Sequence, residues 1–154
     1  MVTGVNMEQA SRFREYIRQM ECHLENMSLD DCNCCGINRS QCFVVVEIGR
    51  KPGISLKEVA EILHTEKSCM SRTVDSLVKK GYVDRRISTK DRRYVMLDLT
   101  EKGRKHFERI EKDMTDLFEK VLLGIPEKKR NQVMESIKLF NDACLEIEAA
   151  EKTK

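Results

Sequence analysis

Between Ser55 and Gly103 the apolar period of the chain changes from the three-and-four spacing of helices to the alternation of strands, and no other stretch constrains the fold as tightly. Ser55 opens a short helix with Glu58 three residues on, the spacing at which a hydroxyl and a carboxylate satisfy each other's free backbone N–H groups. Leu56, Val59, Ala60 and Leu63 form its inner face. Thr65 is the expected cap of the next helix, Glu66 to Lys80, with Met70, Val74, Leu77 and Val78 turned inward and Gly81 as terminator. Two strand-like runs follow, Tyr82 to Ile87 and Tyr94 to Leu99, joined by a tip that holds Asp91, Arg92 and Arg93.

A brace helix, a polar-faced helix and a basic hairpin in that order are the layout of a winged helix-turn-helix. The fold class expected is therefore mainly α with a small β-wing. The outer face of the second helix carries Lys67, Ser68, Ser71, Arg72, Asp75 and Lys79, the short polar and long cationic types that bond base edges and phosphates. Ser68, Ser71 and Arg72 fall in its first two turns, which come closest to bases, and Arg72 is the candidate for a bidentate guanine contact. At the hairpin tip Asp91 can hold a neighbouring guanidinium extended, ready for the negative potential of a narrow A·T-rich minor groove. Arg85, Arg86 and Lys90 are then placed on flanking phosphates. The plainer readings are a solvated surface helix and a polar turn with an internal ion pair.

Four further helices flank this region, three of them long. Phe13, Ile17, Met20, Leu24 and Met27 stripe a helix from about Met7 to Met27, which Ser28 to Gly36 breaks. A helix from Asn38 to Gly49 has Phe43, Val44, Val46, Glu47 and Ile48 reading as mostly buried, and Pro52 and Gly53 end it. Thr100 caps a helix striped by Phe107, Ile110, Met114, Leu117 and Val121, and Pro126 introduces one striped by Val133, Ile137, Phe140, Cys144 and Ile147. One small winged domain cannot cover these stripes, so a second copy of the chain is the expected partner. Residues 1–154 are read as one domain, with 38–99 for DNA and 7–27 and 100–150 for dimerisation.

Charge is distributed to match. From Glu66 to Arg109 thirteen Lys or Arg face seven Asp or Glu, a local +6, which leaves −4 for the remainder because the total is +2. Such segregation is the electrostatic footprint of a nucleic-acid-binding face. No apolar run approaches the roughly 18 residues of a membrane span, and Met1 to Arg14 lacks the apolar core of a secretory signal, so a cytoplasmic protein with no membrane partner is expected.

Seven cysteines in a reducing compartment speak against a disulfide framework. Cys32, Cys34 and Cys35 lie in the break after the first helix, with Cys22 and His23 before them and Cys42 after. Cys32 and Cys35 form a C-x-x-C followed by Gly36, a spacing that lets two thiolates chelate one metal. Cys22 and Cys42 would complete a sulfur site for zinc or another soft metal, with His23 and Cys34 as alternates. A redox or electrophile-sensing switch and incidental small apolar residues are the competing readings. Cys69 reads as a small, partly buried residue on the second helix whose oxidation could perturb DNA contacts, Cys144 as a core residue, and His64 and His106 as surface or capping histidines.

The runs LKEVAEIL, SCMSRTVDSLVKKGYVDRR and DRRYVMLDLTEKG resemble the multiple antibiotic resistance regulator (MarR) family over the central two thirds of the chain. The resemblance implies a homodimeric winged helix-turn-helix transcription factor on a pseudo-palindromic operator, usually a repressor released by a small ligand, oxidant or metal. In that family's Asp-x-Arg wing pattern the arginine two after the aspartate enters the minor groove, which here is Arg93. Two other function classes compete with this one. A thiol-dependent oxidoreductase would place C-x-x-C at a helix N-terminus after a strand, and this motif follows a helix. An interaction adaptor on the same scaffold would leave DNA unbound even at low salt.

Overall fold

The computed structural model describes Gly4, residues 6–27 and residues 36–151. In chain order the elements are α1 (Met7–Met27), α2 (Arg39–Arg50), β1 (Ile54–Ser55), α3 (Leu56–Ile62), α4 (Lys67–Lys79), β2 (Val83–Ile87), β3 (Val95–Leu99), α5 (Glu101–Leu123) and α6 (Glu127–Glu151). Contacts divide the chain into two compact units, with the boundary after Phe107 inside α5.

The first unit holds the core. β3 is the centre of a three-stranded antiparallel sheet ordered β1-β3-β2, with Leu97 facing Ile54 on one side and Arg85 on the other. Against that sheet α2 lays Val44, Val45 and Ile48, α3 lays Val59, and α4 lays Met70, Val74 and Leu77, all buried. Burying the Leu, Ile or Val side chains contributes roughly 1.5–3 kcal/mol each, which makes this cluster the main support of the unit. The helix ends are specified locally. Asn38 and Gln41 form a reciprocal capping box at α2, and Ser55 and Glu58 form another at α3.

The join between α3 and α4 departs from expectation. Thr65 does not cap α4: its hydroxyl donates to the Leu63 carbonyl, and Glu66 occupies the cap position with no side-chain bond. The reason is the ending of α3, where the Thr65 and His64 N–H groups return to the carbonyls of Ala60 and Glu61 and His64 takes φ +48°. That is the left-handed helix end usually built with glycine. His64 therefore serves as the capping histidine of α3.

Three burial expectations also need correction. Phe43 is 50% exposed because it faces away from the sheet, with the Arg39 guanidinium 6.0 Å above its ring. Val78 is 38% exposed, since α4 turns it off the core face at its last turn. His106 is not a surface residue: it is buried with its ring edge-on to Tyr82, centroids 5.3 Å apart. Gly49 lies where a side chain would meet the Phe107 ring at 2.5 Å, so its lack of a Cβ allows α2 and the start of α5 to approach.

In the second unit the Arg130 guanidinium donates to the carbonyls of Leu122 and Ile125, closing the turn between α5 and α6, and Pro126 stands just before α6. Cys144 is only half-buried there. Neither α1 nor α6 buries a single residue, and α5 buries only Gly103 and His106. No helix among the described residues is long and apolar enough to cross a membrane.

Candidate nucleic-acid interface

Because Met70, Val74 and Leu77 anchor one face of α4, the helical period turns the other face outward. Lys67, Ser68, Arg72, Asp75 and Lys79 are exposed on it, and Ser71 is half-buried. Glu66 at the start of α4 makes no side-chain cap bond, and Ser68, Ser71 and Arg72 sit on the first turns of the helix.

The wing follows from the antiparallel register, in which Ile87 pairs with Val95 and the turn occupies residues 88–94. Ser88 N–H donates to the Tyr94 carbonyl, while its hydroxyl oxygen accepts from the N–H groups of Lys90 and Asp91. Asp91 then folds back onto Arg93. Its carboxylate accepts the Arg93 backbone N–H at 3.0 Å, Nε at 3.1 Å and Nη2 at 2.9 Å. The side-chain bonds first, and the backbone bond second, hold the Asp91 carboxyl below its ordinary range, and Asp91 raises the Arg93 guanidinium in turn. Even so, the Arg93 side chain is 88% exposed, so its charge is oriented without being covered. Arg92 is exposed beside it without that brace.

Two of the remaining wing cations are tied down. Arg86 bonds Asp98 across the two strands at 2.6 Å, and Arg85 on β2 pairs with Asp75 on α4. Both arginines thus brace the wing, one within the sheet and one to the helix. Lys90 is exposed at the tip.

Only some of the candidate cysteine ligands fall within the described residues. Cys32, Cys34 and Cys35 lie outside the described residues. Cys22 and His23 are exposed on α1, whereas Cys42 is buried on α2. Among the described residues no group of three or more His, Cys, Asp or Glu is placed to hold a metal ion. Cys69, expected to be partly buried, is exposed in the first turn of α4.

Sequence reasoning missed a polar cluster behind α4. Lys80 Nζ donates to the Gly36 carbonyl at 2.6 Å and to Gln41 Oε1 at 3.0 Å, and Gln41 Nε2 donates to Ser76 Oγ at 3.0 Å. The Asn38-x-x-Gln41 spacing was a readable sign of the cap, but the Lys80 contact spans more than thirty-five residues and left no local trace.

Comparison with known proteins gives the same picture from outside the chain. The model of the MarR family matches residues 37–95. The HTH-type transcriptional regulator BilQ of Clostridium symbiosum is 34% identical over 98 residues, covering 64% of this chain and 68% of BilQ. The HTH-type transcriptional repressor MdtR of Bacillus subtilis is 31% identical over 75 residues, 49% of this chain and 48% of MdtR. Among solved structures, Streptococcus pneumoniae FabT in complex with DNA superimposes with a TM-score of 0.79 at 22% identity, covering 90% of this chain and 99% of FabT.

Proposed function

The chain belongs to the MarR family of winged helix-turn-helix transcriptional regulators, and we propose that it works as a homodimeric repressor whose two α4 helices read successive major grooves of a pseudo-palindromic operator. Membership in a family of regulators sets aside the oxidoreductase reading. The observation that carries the DNA reading is the pairing of an anchored, polar-faced α4 with an exposed, carboxylate-oriented Arg93 on the same compact unit. A guanidinium already extended loses less entropy on entering a minor groove. Arg72, Ser68 and Ser71 supply base and backbone contacts in the major groove, and Lys79, Lys90 and Arg92 lie toward phosphates. Arg85 and Arg86 serve the DNA through the wing they brace. The repressor assignment is supported by the name of the relative MdtR.

The signal we propose is one read by thiols, with Cys32 and Cys35 as the reactive or metal-binding pair, Cys22 or His23 and Cys34 as further donors, and Cys42 as a buried thiol close in sequence. Zinc or another soft metal would bind as thiolates form and release protons as it does so. A peroxide or electrophile would act on the same groups.

One titration series tests both parts. Arg93→Ala is expected to weaken binding most at A·T-rich flanks, and Arg72→Ala to relax discrimination at one base pair per half-site by about 1–3 kcal/mol. Zinc or peroxide is expected to shift the affinity of wild type and not that of Cys32→Ser/Cys35→Ser. Unchanged affinity in both arginine variants at moderate salt would remove the DNA surface assigned here. A wild type indifferent to every added agent would remove the thiol signal.

A further inference from the structure

Behind the reading helix, on the side away from its exposed face, Gln41 is 5% exposed and yet engaged at both ends of its amide. Its Oε1 accepts from the Asn38 N–H and from Lys80 Nζ, each at 3.0 Å, and its Nε2 donates to Ser76 Oγ. Lys80 adds a 2.6 Å bond to the Gly36 carbonyl. Three places are thus joined: the residue that follows Cys35, the first turn of α2, and the last turn of α4. Lys80 caps α4 at the end where helix carbonyls accumulate negative charge, so its ammonium is held there for two reasons.

We propose that Lys80, Gln41 and Ser76 are positioning residues that set the orientation of α4 against α2, taking their reference from the backbone at Gly36. The inference rests on the reading of α4 as the helix that enters DNA. Arg72 lies eight residues from Lys80, about 12 Å along the helix axis. A small tilt at the latched end therefore displaces the reading end. Lys80 thereby acts without contacting the nucleic acid.

The test compares Lys80→Met and Lys80→Arg with wild type in DNA titrations at several salt concentrations and in amide hydrogen exchange. Methionine keeps the length of the side chain and removes its donors, while arginine retains charge and donors. Lys80→Met is expected to lose affinity roughly tenfold, the size of one charge-assisted hydrogen bond at room temperature, with an unchanged salt slope, and Lys80→Arg to recover most of it. Exchange at Asn38 and Gln41 should quicken in Lys80→Met alone. A salt slope lower by about one in Lys80→Met with unaltered exchange would show a phosphate contact and overturn the proposal. Unchanged affinity together with unaltered exchange would overturn it as well. If wild type bound no DNA fragment the DNA reading would fall, and exchange at Asn38 and Gln41 would still decide whether the latch exists.

Discussion

Glu58 shows how much one side chain contributes when its partners are local. Its carboxylate accepts from Lys51 Nζ at 2.6 Å, the Ser55 hydroxyl at 2.8 Å and the Ser55 N–H at 2.9 Å. The bond from Lys51, then those from Ser55, lower its pKa from 4.5 to about 2. A carboxylate depressed on folding adds stability that is present above its unfolded value and lost as pH falls through its folded one. The loss should run from about pH 4.5 down to about pH 2, muted because the side chain is 41% exposed and screened by water. Glu58→Gln is expected to be less stable than wild type at neutral pH, with the gap closing across that window in urea melts. A gap independent of pH would refute the assignment. Asp91 is depressed by similar local means, and there the consequence falls on the aim of Arg93.

Between elements, stability depends on close backbone approach. The Tyr82 carbonyl accepts the Thr100 N–H at 3.1 Å, and the Thr100 hydroxyl donates to the Gly81 carbonyl at 2.7 Å while accepting the Gly103 N–H at 3.0 Å. This knot joins the end of α4, through Gly81 at φ +79°, to the start of α5. A methyl at position 103 would overlap the Tyr82 carbonyl oxygen. Gly103→Ala is therefore expected to destabilise the chain by about 1–3 kcal/mol, despite alanine's better helix propensity. Chemical denaturation reads this directly, and a stabilised variant would show that the approach is looser than described. The Asp75–Arg85 pair adds a second tie, from α4 to the wing.

At the scale of the molecule, the long helices leave apolar side chains uncovered. Phe13, Tyr16 and Met20 on α1, Phe118 and Val121 on α5, and Ile137, Leu139 and Ile147 on α6 are all exposed in the single chain. Large apolar side chains left uncovered in this number along long helices point to association surfaces. A homodimer is expected, with a solution mass twice that of one 17.9 kDa chain and half-sites about 10 base pairs apart. Light scattering during gel filtration checks it. A folded monomer at micromolar concentration would remove the dimer and with it the two-fold operator.

Local chemistry explains which parts of this protein were legible in its sequence. The helical stripes, the Ser55–Glu58 cap and the alternating strands rest on local spacing, which announced them; for Asp91 spacing offered only a neighbouring arginine, and the family resemblance singled out Arg93. Even the failed Thr65 cap was a local error, caused by a histidine in a conformation normally left to glycine. Tertiary structure alone decided the burial of His106 against Tyr82, the turning of Arg85 toward Asp75, the pairing of two-residue β1 with β3 and the reach of Lys80 to Gly36. Each of these depends on segments separated in sequence and joined by a shared core. Periodicity says which face of a helix is buried, but only packing says what that face meets.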